Sequence, residues 1–178
     1  MIVASGDLYQ FFLERLTPIA PDFSVEPTEV VYLARLLAER SQPQRGPATL
    51  FELYKRAVEE GGPAAVASYK EIGDRSLFLV GVFPEHLNRR RGVGERYYRN
   101  MGAGAYASLA GLLRDDRYLR LSHQFSQCVD TLRATMENVR WADEDDINDL
   151  YEKWLVGEDA SVEKRVRKLG MPLKIYSA

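Results

Sequence analysis

The chain has 178 residues, of which 46% are hydrophobic and 28% charged, a composition that excludes disordered, collagenous and fibrous classes. Lys and Arg total 24 against 26 Asp and Glu, so no global field draws the protein toward nucleic acid or an anionic membrane. The single cysteine, Cys128, cannot form an internal disulfide, and the longest apolar run, Leu77 to Phe83, is far short of the ~20 residues a bilayer span needs.

In chain order, the segment from Met1 to Asp7 has neither a basic start nor a long apolar stretch, so no export signal is read there and a cytoplasmic location is expected. Leu8, Phe11, Phe12 and Leu16 predict a first short helix closed by Pro18 and Pro21. Val30, Leu33, Leu36 and Leu37 predict a second, opened by Glu26-Pro27-Thr28-Glu29 and ended near Pro43. Leu50, Leu53, Tyr54 and Val58 predict a third, stopped by Gly61-Gly62-Pro63. The stretch from Ala64 to Phe83 is too long for a strand and has little polar face in its second half, so it is expected to be a central, mostly buried helix. Pro84 breaks it, Glu85 to Arg90 allow one more turn, and Arg91-Gly92-Val93-Gly94 read as a loop. A helix rich in small residues follows from Tyr97 to Leu113, and Arg114 to Arg117 turn the chain.

The strongest periodicity runs from Tyr118 through Leu121, Phe125, Cys128, Leu132, Met136 and Val139, predicting one long helix of about six turns with Cys128 buried on its stripe. Two short helices are expected beyond it, one over Ile147 to Leu155 behind an acidic start and one over Ser161 to Leu169 capped by Gly170. The reading is an all-α, single-domain helical bundle of about seven or eight helices over residues 1–178, with short helices at both ends packed on a central bundle of about 63–140.

Chemistry is sparse. Glu71, Asp74 and Arg75 interrupt the most apolar segment beside Gly73, where an unpaired charge would be costly. Glu71 and Arg75 are four apart and can pair on one helix. Their cluster is either a structural network that ties helices together or a polar pocket, lined in that case by Tyr69, Glu71, Asp74, Arg75, Tyr97 and Tyr98. Glycines at 73, 81, 102, 104 and 111 point to close helix contacts, since each costs about 1 kcal/mol against alanine in a helix. Arg89, Arg90, Arg91 and Arg96, near Tyr97 and Tyr98, form the one dense basic cluster, a candidate contact for an anion or partner or else a solvated loop. Two histidines and one cysteine give no metal-ligand spacing, no serine has a nucleophile context, and no cofactor motif is present.

Tyr32-Leu33-Ala34-Arg35-Leu36-Leu37, Gly73 through Glu85, Tyr97-Tyr98 through Met101-Gly102 with Ala105-Tyr106, and Leu150 through Leu155 occur together in that order. In this the chain resembles a family of uncharacterised bacterial all-helical proteins of about this length. The resemblance implies a single cytoplasmic domain and carries no catalytic residue, and the connection Arg90 to Gly94 is more basic here than in that family.

Two functional classes follow. The first is a non-enzymatic helical interaction, scaffold or regulatory protein whose partner is another protein or a second copy, with Trp141, Tyr151, Trp154 and Tyr176 as anchors or as core. The alternative is a helical-bundle protein or enzyme that takes a small ligand in a polar pocket around Glu71, Asp74, Arg75, Tyr97 and Tyr98. Neither a nucleic-acid nor a membrane partner is expected.

Overall fold

Residues 5–40, 48–89 and 94–137 are described in the computed structural model, and every regular element among them is helical. Helix α1 spans Ser5–Leu16 and leads through a 3-10 turn, Ala20–Phe23, into α2, Pro27–Arg40. Helices α3 (Leu50–Glu60) and α4 (Gly62–Val82) follow, then the short α5 (Pro84–Arg89), α6 (Glu95–Leu113), α7 (Asp116–His123) and α8 (Phe125–Glu137).

The boundaries follow from local chemistry. Thr49 and Glu52 form a reciprocal capping box at the start of α3, each satisfying a backbone N–H that the first turn leaves open. Gly61, at φ +66°, both ends α3 and begins α4, a left-handed position that a side chain would strain. Asp115 caps α7 by accepting from the Arg117 N–H at 3.0 Å, after Arg114 has reversed the chain in the left-handed region.

Helix α4 is the axis. It packs most extensively on α6, and also on α3 and α8. From Ile72 to Val82 every residue except Arg75 is buried. Helices α1 and α2 pair with each other, and their buried Leu8, Phe12, Leu16, Leu33 and Leu37 join Leu77, Phe83, Cys128 and Leu132 in one core. Two glycines of α4 permit this closeness. A Cβ on Gly73 would lie 2.5 Å from the Tyr106 ring, and one on Gly81 would lie 2.7 Å from Leu132. Gly102 of α6 likewise seats the Phe125 ring, whereas Gly104 and Gly111 face open space and carry no close packing.

The all-α architecture agrees with the expectation from periodicity, with one internal correction. The single long helix predicted from Tyr118 is two helices, parted at Gln124 with φ −99° and ψ 19°. The apolar stripe survives the break, because Gln124 N–H still bonds Arg120 C=O and Cys128 N–H still bonds Gln124 C=O. A departure of one residue leaves the three-and-four spacing intact, so periodicity cannot detect it. Cys128 is fully buried on that stripe, and burial pushes its thiol up to about 12. The predicted loop from Arg91 to Val93, the two C-terminal helices and their aromatic residues lie outside the described residues.

Candidate functional site

Asp74 stands at the centre of the site. Its carboxylate is 2% exposed, near the middle of α4, and could not remain there without partners. Three groups from three helices supply them. On one oxygen, Oδ1, it accepts the hydroxyl of Tyr32 from α2 and, at 2.8 Å, that of Tyr106 from α6. On the other, Oδ2, it accepts Lys70 Nζ, one helical turn earlier in α4, at 2.5 Å. Gly73 makes the Tyr106 bond feasible, since the Tyr106 ring occupies the space where a Cβ at that position would project.

The electrostatics fix the protonation states of the surrounding donors. Burial first, and then the Asp74 charge, raise the Tyr106 and Tyr32 phenols above their ordinary value, so both remain hydrogen-bond donors. Burial alone would lower Lys70, but the neighbouring Asp74 carboxylate outweighs it and holds the ammonium charged. The carboxylate is thus fully engaged and locally neutralised. That arrangement suits holding and orienting more than acid, base or nucleophile chemistry, which needs a group free to give or accept a proton or a bond.

Above this carboxylate lies a cavity of about 300 Å³, walled by α2, α4 and α7. Tyr32 and Tyr118 form one corner of it, with ring centroids 6.2 Å apart and planes at 87°. Val31, Leu36 and Leu121 add apolar wall, while Arg35, Glu39 and Arg117 stand at the polar side. Glu29, 2% exposed, closes one end, held by Arg120 Nε at 2.8 Å and by the Thr28 hydroxyl at 2.9 Å. Among the described residues the Tyr118 hydroxyl has no hydrogen-bond partner.

The residues singled out from the sequence divide between this cavity and other places. Asp74 lines it, and its network lies in the core as the interruption of the apolar segment suggested. Glu71 and Arg75 make the predicted i, i+4 pair at 2.8 Å, but away from the cavity, where Arg40 of α2 grips Glu71 through two nitrogens and Arg75 donates to Ala48 C=O at 2.5 Å. This second network joins α2, α4 and the entry to α3. Tyr69 packs edge-on against Tyr54 at 6.5 Å, facing α3. Tyr97 and Tyr98 meet each other at 5.5 Å in the first turns of α6, apart from the cavity. Arg96 is exposed and borders a shallower hollow of about 410 Å³ between α6, α7 and α8, with Arg99, His123 and Ser126. The side chain of Arg89 and the whole of Arg90 and Arg91 lie outside the described residues.

Tyr32, Tyr106 and Tyr118 were not singled out as site residues by sequence reasoning. They come from three helices and share no spacing in the chain, so only the fold brings their rings together and sets Tyr32 and Tyr106 on the Asp74 carboxylate. The available signal was Gly73 beside Asp74, which marks the place where a large side chain from another helix must approach.

Among the described residues no cluster of three or more His, Cys, Asp and Glu could hold a metal ion, and no helix is long and apolar enough to cross a membrane. Fold and site together define an all-α bundle with a polar, tyrosine-cornered cavity over a buried carboxylate. Compared with protein families, curated proteins and solved structures, the chain finds no match, so no relative bears on the resemblance carried by its motifs.

Proposed function

We propose that the protein binds a small organic molecule in the cavity between α2, α4 and α7. The observation that carries this reading is Asp74: a buried carboxylate held by two tyrosines and a lysine, at the base of a cavity of about 300 Å³ whose wall holds the Tyr118 hydroxyl, unpartnered among the described residues. Concave sites with mostly apolar walls and a few converging polar groups are the usual form of ligand pockets, and this volume is at their small end. The role is recognition, because the polar groups at the base satisfy one another and leave no activated nucleophile.

Native mass spectrometry of protein isolated from its own cells, with thermal unfolding before and after denaturing extraction, tests this. A co-purifying molecule that stabilises wild type and is absent from a Val31→Trp variant, in which the exposed wall residue fills the cavity, is the expected result. Wild type and Val31→Trp that carry the same molecule, or that respond alike to a broad small-molecule panel, would refute it.

A second reading, a helical interaction or scaffold protein whose partner is another protein or a second copy, draws support from α3. Phe51, Tyr54 and Val58 recur on one face of that helix and are 68%, 47% and 61% exposed, whereas Leu50, Leu53 and Ala57 hold its inner face.

A further inference from the structure

The rim of the cavity contains an imbalance that its base does not. Of the charged groups that line or adjoin it, Lys70 is paired with Asp74, Arg117 with Asp115 and Arg120 with Glu29. Arg35 and Glu39 alone among the lining charges have no ion pair or hydrogen bond within the described residues, although Glu39 lies near enough to Lys70 to help hold its ammonium charged. They are one helical turn apart on α2, at the i, i+4 spacing where opposite charges ordinarily pair, and they do not pair with each other. Both are exposed at the mouth, while the space between and beneath them is bounded by the tyrosine corner and by Val31, Leu36 and Leu121.

A guanidinium fork offers parallel donors to a carboxylate, and a free carboxylate accepts an ammonium. The apolar corner takes an uncharged body, and the Tyr118 hydroxyl offers one more hydrogen bond. We propose that the ligand is a short zwitterion with an apolar or aromatic side chain, an α-amino acid, whose carboxylate meets Arg35 and whose ammonium meets Glu39. This deepens the reading of the cavity as a ligand site and rests on it. An anion beside Arg35 would meet repulsion from Glu39 that Lys70, already bonded to Asp74, offsets only in part, and a cation beside Glu39 would meet repulsion from Arg35. A zwitterion matches both, and about 300 Å³ accommodates a single amino acid rather than a peptide or nucleotide.

The probes are L-leucine, L-phenylalanine, phenethylamine (phenylalanine without its carboxylate) and 3-phenylpropionate (without its ammonium), titrated calorimetrically against wild type, Arg35→Gln, Glu39→Gln and Val31→Trp. Both variants at the charged positions change exposed side chains, so the fold is retained. The expected result is that L-leucine or L-phenylalanine binds wild type and loses roughly tenfold or more in affinity on each charge-removing substitution. Each single-charge analogue should bind wild type more weakly than phenylalanine by a similar factor. Phenethylamine should be insensitive to Arg35→Gln, and 3-phenylpropionate to Glu39→Gln. If neither amino acid binds wild type, or either binds the charge variants as tightly as wild type, the zwitterion proposal is overturned. If a single-charge analogue then binds wild type and Val31→Trp abolishes that binding, the cavity remains a ligand site and only the ligand class is wrong. If none of the four binds and a broad panel gives the same response with wild type and Val31→Trp, both proposals fail.

Discussion

A single missing methyl group positions the central carboxylate. Gly73 allows the Tyr106 ring to lie against α4, and the Tyr106 hydroxyl reaches Asp74 one residue further along. Gly73→Ala should therefore destabilise by roughly 1–3 kcal/mol through overpacking, although alanine is the better helix former by about 1 kcal/mol. Gly104→Ala, in a helix with open space beyond it, should stabilise by up to about 1 kcal/mol. Urea unfolding of the two variants beside wild type checks the contrast, and equal effects of the same sign would show that Gly73 has no packing role. Asp74→Ala strands two tyrosine hydroxyls, one of them fully buried, whereas Lys70, with 42% of its side chain exposed, can turn to water. The expected loss is roughly 2–4 kcal/mol, measured in the same way. An Asp74→Ala protein as stable as wild type would mean that the tyrosines find other partners. At this scale the sequence was partly legible. A charged pair inside an apolar run with an adjoining glycine marked Asp74, but nothing in the spacing of Tyr32, Tyr106 and Tyr118 marked their convergence, because tertiary packing alone sets it.

Between helices, ion pairs make the ties. Glu71 joins α2 to α4 through Arg40, and Glu95 joins α6 to α8 through Arg133, which also donates to Val80 C=O of α4. Burial alone would raise both carboxyls, but Arg40 and Arg75 hold Glu71 below its ordinary value, and Arg99 and Arg133 do so for Glu95. A carboxyl whose folded value is depressed stabilises the fold above its unfolded value, and that stabilisation is lost as pH falls through the folded one. For Cys128, Tyr32 and Tyr106 the folded values are raised, so their contribution is complete below the unfolded values of 9.0 and 10.0 and is lost as pH rises beyond them. The urea midpoint should be flat between about pH 6 and 8, fall below about 4.5, and fall again above about 9. Glu71→Gln should flatten the acid limb, and an unchanged acid limb in that variant would remove Glu71 from the account. Helix existence and order were readable at this scale because apolar spacing and Pro or Gly stops coincide, as at Gly61 and Pro84. The break at Gln124 was not, since one residue leaving helical geometry does not alter the periodicity on either side.

Across the whole molecule, α4 carries two neighbouring polar systems, both tied to α2. In one, Glu71, Arg40 and Arg75 lock α2 and the entry to α3 onto the axis, and in the next, Asp74 and its tyrosines hold the base of a cavity. Glu71 and Asp74, three positions apart and so only about 60° around the helix, both reach α2, but Glu71 takes Arg40 and Arg75 while Asp74 takes Tyr32 together with Tyr106 of α6. The all-α class was legible from composition and periodicity, while the cavity was not, since its walls are assembled from α2, α4 and α7. The central claim is that this cavity is the binding site, and amide-resolved NMR during titration with L-phenylalanine tests it most directly. The account predicts saturable shifts confined to α2 around residues 28–39, α4 around 70–74 and α7 around 117–121, and their loss in Val31→Trp. Shifts centred instead on the outer face of α3, or unaffected by Val31→Trp, would contradict it.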